Sequence, residues 1–209
     1  MGRLFVFTLG FHENFAVRRM VSHSAGRGDS FVCFTLKPAA GATLDAYRSL
    51  RTFASRLGVE PGDLVELDCN DLASSSTKAR RIVESHGGPV VADLTGGPRC
   101  IILAVFLGLL VSGVDGEAWV QVEGGEGGED RIPLRVVGAL REGVSGVKRE
   151  ILRLAVRSPG IRPEEMAEEL GVALKTVQNN LTTLKKLGLV YQRGRGGGIY
   201  ATNWGRLLV

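Results

Sequence analysis

Cysteine and histidine are scarce in this sequence, three of each in 209 residues, and their spacing excludes more than their number. Neither CxxC nor HxxxH occurs, and His12, His23 and His86 are scattered, so no structural metal is expected. Cys33, Cys69 and Cys100 are odd in number and each lies in an apolar run. That argues for a reducing, cytoplasmic setting and against a disulfide framework. No GxGxxG follows the first strand-like segment, and the second ends in Leu36-Lys37 where a ribose-binding acid would be expected; a dinucleotide cofactor is therefore not expected. No GxSxG elbow is present, which removes the nucleophile turn of the α/β-hydrolases. The most apolar run, Ile101 to Val111, is shorter than the ~20 residues of a membrane span and reads as a helix buried against a sheet or a partner subunit. The opening Met-Gly-Arg-Leu-Phe-Val-Phe lacks a signal-peptide cleavage pattern and reads as a first β-strand.

What is present is unevenly distributed. The net charge is +4, yet residues 147–209 hold 11 Lys and Arg against 5 acids, whereas residues 1–146 hold 15 against 17. Basic charge thus gathers on the C-terminal piece, where a polyanion would be met. The length suits two domains.

The first 140 residues alternate strand-like and helix-like segments. Leu4–Leu9, Phe31–Leu36, Leu64–Leu67 and Pro89–Leu94 read as strands, with helices over Glu13–Ser24, Leu44–Leu57, Ser74–Ser85 and Arg99–Val111 between and after them. In the second helix the apolar residues recur every three or four positions. Trp119–Val122 and Ile132–Val137 close the domain as a hairpin across Glu123–Asp130, a glycine-acid loop whose four acids would repel phosphate. Such alternation predicts an α/β fold, a Rossmann-like mainly parallel sheet with right-handed crossovers. Its strands read as near-continuous apolar runs because both faces are covered. Domain boundaries are placed at 1–140 for this unit, 141–146 for a linker and 147–209 for the remainder.

That remainder spells a winged helix-turn-helix. Val147, Ile151, Leu154 and Ala155 form the buried stripe of a first helix, terminated at Ser158-Pro-Gly160. Pro163, Glu164 and Glu165 suit the first turn of the next helix, Met166, Ala167 and Leu170 face inward, and Gly171 permits the turn's left-handed backbone. A recognition helix begins near Leu174. With Val177, Leu181 and Leu184 on its inner face, Lys175, Thr176, Gln178, Asn179 and Thr182 fall on the other, where amides and hydroxyls read base edges. Lys185 and Lys186 would meet phosphates, and Arg193 and Arg195 in the glycine-rich wing would reach backbone or minor groove. A helical bundle used for protein docking is the alternative for this segment.

In open parallel sheets, ligands bind beyond the carboxyl ends of the strands. The segments expected there are Leu9–Phe15, Leu36–Pro38, Asn70–Ser76 and Asp93–Arg99. The last carries the sharpest signal, two glycines at a strand-to-helix turn where backbone N–H groups can approach an anion, with Thr95 and Arg99 beside them. Tight packing is an equally good reason for two glycines there.

Phe7-Thr-Leu-Gly-Phe-His-Glu-Asn-Phe15 and Asp93-Leu-Thr-Gly-Gly-Pro-Arg99 resemble the two ligand motifs of CARF domains, the CRISPR-associated Rossmann fold. A CARF domain joined to a C-terminal winged helix is similar to the archaeal CRISPR-associated transcription regulators of antiviral defence. The resemblance implies no cofactor but a cyclic oligoadenylate ligand, most often the tetramer, bound across a homodimer. It puts Gly10, Phe11, His12 and Asn14 on the first motif and Thr95, Gly96, Gly97 and Arg99 on the second. Pro98 departs from the polar residue common there and removes an N–H donor. The implied function is a regulator whose winged helix binds double-stranded promoter DNA, with Ile101–Val111 as the dimer seam. Two alternatives remain at this stage. One is a ring nuclease that cleaves the ligand without metal by attack of a ribose 2′-hydroxyl, His12 or Arg99 serving as charge stabiliser. The other is a regulator sensing a different nucleotide metabolite.

Overall fold

The computed structural model describes residues 2–121, 128–194 and 196–209 and divides the chain into two compact units, Met1–Leu134 and Arg135–Val209. In the first unit the order is β1 (Leu4–Thr8), α1 (Asn14–Ser22), β2 (Ser30–Leu36), α2 (Gly41–Leu57), β3 (Leu64–Leu67) and α3 (Leu72–His86). It continues with β4 (Val90–Asp93), α4 (Arg99–Ser112), β5 (Gly116–Gln121) and β6 (Glu129–Pro133). The six strands form one sheet in the order β3-β2-β1-β4-β5-β6. All neighbours pair in parallel except β5 and β6, which form the expected antiparallel hairpin. The fold is the Rossmann-like α/β sheet that the alternation predicts, and residues 122–127 of the glycine-acid loop lie outside the described residues.

Each face of the sheet carries its own core because successive side chains in a strand point to opposite sides. Leu4, Val6, Val32 and Phe34 pack with Ala79 and Val83 of α3 and Ile101, Val105 and Leu109 of α4. Phe5, Phe7, Phe31 and Cys33 pack with Ala16 and Met20 of α1 and Ala46, Leu50 and Ala54 of α2. No helix among the described residues is long and apolar enough to cross a membrane. The apolar α4 buries Ile101, Ala104, Val105 and Leu109 and leaves Leu103, Leu107 and Val111 exposed on one stripe.

One expectation fails outright. The cysteines are not all free: Cys69 and Cys100 form a disulfide, with Cα atoms 5.7 Å apart, and only Cys33 is a free thiol, buried among apolar side chains. The odd count and the 31-residue separation conceal the spatial fact that α3 and α4 pack side by side, which brings the β3–α3 turn to the start of α4. The cysteines therefore give no argument for a reducing setting.

The second unit holds α5 (Val136–Glu142), α6 (Gly146–Arg157), α7 (Pro163–Leu170), α8 (Leu174–Lys186), β7 (Val190–Gln192), β8 (Ile199–Ala201) and α9 (Asn203–Leu207). Its boundary precedes the expected linker. Val136 and Val137, read from the sequence as the end of a strand, instead begin α5, and β6 stops at Pro133, since proline ends ladder donation. Ile151, Leu154, Ala155, Met166, Val177, Leu181 and Leu184 make the core. Gly171 closes α7 with φ +62°, the left-handed turn that lets α8 begin at Leu174. The antiparallel β7–β8 pair is the wing, bridged on its other side by Ile161 to Ile199. The arrangement is a small winged helix-turn-helix.

Candidate functional site

The loops that follow β1 and β4 touch. Thr8, buried at the end of β1, donates its hydroxyl hydrogen to the Gly96 carbonyl across 2.6 Å. A Cβ added at Gly10 would lie 3.1 Å from the Gly97 nitrogen, so the approach of the two backbones depends on glycine. Gly97 has φ +85°, a conformation that other residues adopt only with strain. Together the loops wall a cavity of about 480 Å³ lined by Gly10, Phe11, His12, Thr95, Gly96 and Gly97, with Leu36, Pro38 and Ala40 from the β2–α2 connection opposite. Six of the eight residues expected on the ligand motifs are thereby assembled in one place. Asn14 and Arg99 are not in the lining: Asn14 opens α1 and Arg99 opens α4, both exposed. Pro98 is in the lining and is the N-cap of α4, its carbonyl accepting from Ile101 and Ile102. Phe11 stands 65% exposed at the edge of the cavity.

A buried polar network underlies the second loop. Asp93 Oδ1 accepts the Thr95 N–H at 3.0 Å, and Oδ2 accepts from Arg19 Nε at 3.0 Å. Arg19 also places Nη2 3.1 Å from Glu129 Oε2 and its guanidinium carbon 4.1 Å from the centre of the Trp119 ring. Thr95 Oγ1 in turn accepts the Gln121 N–H at 3.0 Å. One cation on α1 therefore ties together β4, β5 and β6. Next to it, Glu117 lies 2.8 Å from His23 Nε2, accepts from Trp119 Nε1 at 2.9 Å and pairs with Arg131 Nε at 2.7 Å. Burial pushes the Glu117 carboxyl up, but these hydrogen bonds and the Arg131 charge outweigh it and hold the group below its ordinary value.

In the second unit, Lys175, Gln178, Asn179, Thr182, Lys185 and Lys186 are exposed along α8, opposite its buried stripe, and Thr176 is half-buried. Gln178, Thr182 and Lys185 border one cleft with Gln192 and Gly196 of the wing. Arg193 is exposed, its guanidinium carbon 4.8 Å from the centre of the Tyr200 ring. Arg195 lies outside the described residues.

Residues 3–134 match the family model of the Csa3 CRISPR-associated Rossmann-like domain. The chain belongs to the Csa3 family. Csa3 of Saccharolobus solfataricus, a protein named for its CRISPR locus and for DNA binding, is 30% identical to this chain over 188 residues, 90% of this chain and 79% of that protein. Among solved structures, Can2 of Sulfobacillus thermosulfidooxidans, in complex with cyclic tetra-adenylate, matches with a TM-score of 0.45 at 14% identity, over 99% of this chain and 63% of that one. A transcription regulator of the MarR type, SP03579, matches with a TM-score of 0.31 at 24% identity, over 35% of this chain and 52% of that one. This Csa3-family chain thus spans between half and two thirds of the length of those two solved proteins.

In each unit, several residues that matter to the candidate sites escape motif reading. Arg19 and Glu129 carry no motif, nor does Gln192 in the wing; Thr8 and Phe15 lie within the first motif without being singled out by it, and the cavity residues Thr35 and Thr43 sit outside both loops. Asp93 did leave a signal. A carboxylate closing the apolar run Val90-Val-Ala in a covered strand needs a buried partner, and Arg19 is that partner.

Proposed function

We propose that this chain is a CRISPR-associated transcription regulator. Its Rossmann-like domain takes cyclic oligoadenylate, the tetramer by preference, and its winged helix binds promoter double-stranded DNA. The observation that carries the reading is the cavity shared by the β1 and β4 loops, which gathers Gly10, Phe11, His12, Thr95, Gly96 and Gly97 at the carboxyl ends of parallel strands. The DNA half rests on the exposed polar face of α8, the basic balance of the last 63 residues and kinship to a protein named for DNA binding.

The cavity volume of about 480 Å³ suits one drug-sized ligand, for which about 300–1,000 Å³ is usual. A four-nucleotide ring is several times larger, so it would be shared by two copies related by a two-fold axis. The exposed Leu103, Leu107 and Val111 stripe on α4 is the seam we assign to that homodimer. On this reading Asn14 and Arg99, outside one protomer's lining, meet the ring's phosphates. Gating requires the ligand to bind the DNA-competent and incompetent states unequally.

Calorimetric titration of cyclic tetra-adenylate into the purified protein tests this, with one ring per two chains expected. A parallel thermal-shift comparison should favour the ring over mono- and dinucleotides, since ligand at 100 times Kd stabilises by about 2.7 kcal/mol. Stabilisation by a mononucleotide with none by the ring would overturn the reading in favour of another nucleotide signal. Loss of the ring during incubation with stoichiometric protein would make the domain a ring nuclease instead.

A further inference from the structure

Thr35 and Thr43 are the two most withdrawn hydroxyl side chains in the cavity lining, 2% and 3% exposed. Thr35 shares the sheet face of Phe31 and Cys33, whose side chains pack toward α2, and Thr43 belongs to the buried stripe of α2 with Ala46, Leu50 and Ala54. Both hydroxyls therefore turn into the same gap between sheet and helix, at its cavity end. Neither hydroxyl has a hydrogen-bond partner among the described residues, and neither oxygen is wholly shut off from the cavity that both residues line. A hydroxyl that opens on a largely apolar cavity and has no protein partner keeps its donor and acceptor free for whatever occupies that cavity. Here α2 also starts with Ala40 at the N-cap, which offers no side-chain acceptor to the first-turn N–H groups.

The surroundings define what would satisfy these groups. Leu9, Phe11, Phe15, Leu36, Pro38 and Ala40 make the walls, and among the described residues no lysine or arginine is in the lining. A phosphate pushed this deep would be desolvated without a counter-charge. A flat heterocycle fits: its faces meet apolar and aromatic walls, while its edge offers donors and acceptors to hydroxyls that can play either role.

We propose that Thr35 and Thr43 form a base-edge subsite that holds the purine of a phosphorylated nucleotide and selects for its exocyclic amino group. This rests on the nucleotide reading of the cavity and adds to it which residues choose the base. The hydroxyls contribute to ligand affinity and nothing to the unliganded fold. Removing either one should therefore weaken binding while leaving the free protein as stable as before or more so, a combination that a structural threonine would not give.

The experiment titrates cyclic tetra-adenylate into the wild type, Thr35→Val and Thr43→Val by calorimetry. It repeats the series with a ring whose purines lack the 6-amino group, and records thermal unfolding of each unliganded protein. Each variant should bind the adenine ring about tenfold more weakly. At least one of those losses should disappear on the desamino ring, and neither unliganded Tm should fall. Wild-type affinity for the adenine ring in both variants overturns the subsite and leaves the reading of the cavity standing. An unliganded Tm lowered by several degrees overturns it as well, because the hydroxyls would then be structural. A wild-type protein that ignores both rings overturns the reading of the cavity, and the subsite falls with it.

Discussion

Arg19 and Asp93 form an ion pair almost wholly withdrawn from water, Nε to Oδ2 3.0 Å, with side chains 2% and 4% exposed. Neither could be buried alone. The other Asp93 oxygen holds the Thr95 N–H and the other arm of Arg19 reaches Glu129, so the pair sits where the loop after β4, α1 and the β5–β6 hairpin converge. Breaking a buried pair leaves the surviving charge desolvated and uncompensated, at a cost of about 3–5 kcal/mol. Asp93→Asn and Arg19→Met should each lower stability in urea unfolding by roughly that amount, and the double variant by less than the two together. Additive losses would mean that the pair does not act as a unit.

Acid should unfold the first unit through two carboxyls. Glu117 is held below its ordinary value of 4.5 by His23, Trp119 and Arg131, against the upward push of burial. Asp29 is held below 3.8 because the Arg3 side chain and the Arg3 and Gly26 N–H groups outweigh its burial. A carboxyl whose folded value is depressed adds stability that is complete above its unfolded value and disappears as pH falls through the folded one. Urea midpoints should therefore stay level from neutrality down to about pH 5 and drop steeply below about pH 4. Glu117→Gln should flatten part of that drop; an unchanged slope would show that its partners do not favour the ionised form.

The Cys69–Cys100 bridge closes a loop of 31 residues, for which chain-entropy arguments give about 3–4 kcal/mol. Cys69→Ser/Cys100→Ser should lower the Tm of the first unit and leave the unfolding of residues 135–209 unchanged, as calorimetry of the full chain would resolve. The remaining thiol is a separate matter. Burial pushes the Cys33 thiol far up and keeps it un-ionised, so alkylating reagents should label it only in denaturant. Labelling of the native protein at neutral pH would contradict its position in the core.

The sheet could be read from the chain because both its faces are covered, which turns strands such as Phe5-Val-Phe and Val90-Val-Ala into apolar runs bounded by turn residues. The recognition helix was equally legible: Val177, Leu181 and Leu184 set its inner face, and Gly171 fixes where it starts. Failures occurred where local pattern and tertiary setting disagree. Val136-Val137 has β-branched residues and reads as strand, but Pro133 stops the ladder and the pair starts α5. The disulfide was invisible because no one-dimensional rule reports that α3 and α4 lie together. The site followed the same division. Its glycine loops stand out in the sequence, whereas Thr35 and Thr43 come from a strand end and a helix start and line one cavity only when α2 folds over the sheet.

The wing adds a residue that the helix-turn-helix pattern alone does not single out. Lys185 Nζ donates to Gln192 Oε1 across 2.6 Å, and Gln192 Nε2 donates to the Gly197 carbonyl across 2.7 Å, so one amide holds a lysine of α8 and the wing loop at once. On the proposed reading, Gln178 and Asn179 discriminate between bases and Lys185 meets a phosphate that every duplex has. Gln178→Ala and Asn179→Ala should then cost about 1–3 kcal/mol on the preferred operator and little on unrelated duplexes, relaxing the sequence preference. Lys185→Ala should weaken all duplexes alike and reduce the salt slope by about one counterion. Gln192→Ala keeps every charge, so its salt slope should match the wild type while affinity falls, because the lysine and the wing must be ordered on binding rather than before it. Mobility shifts at several salt concentrations separate these outcomes. If Gln192→Ala changed the slope as Lys185→Ala does, the amide would be acting on the number of phosphate contacts and not on their arrangement.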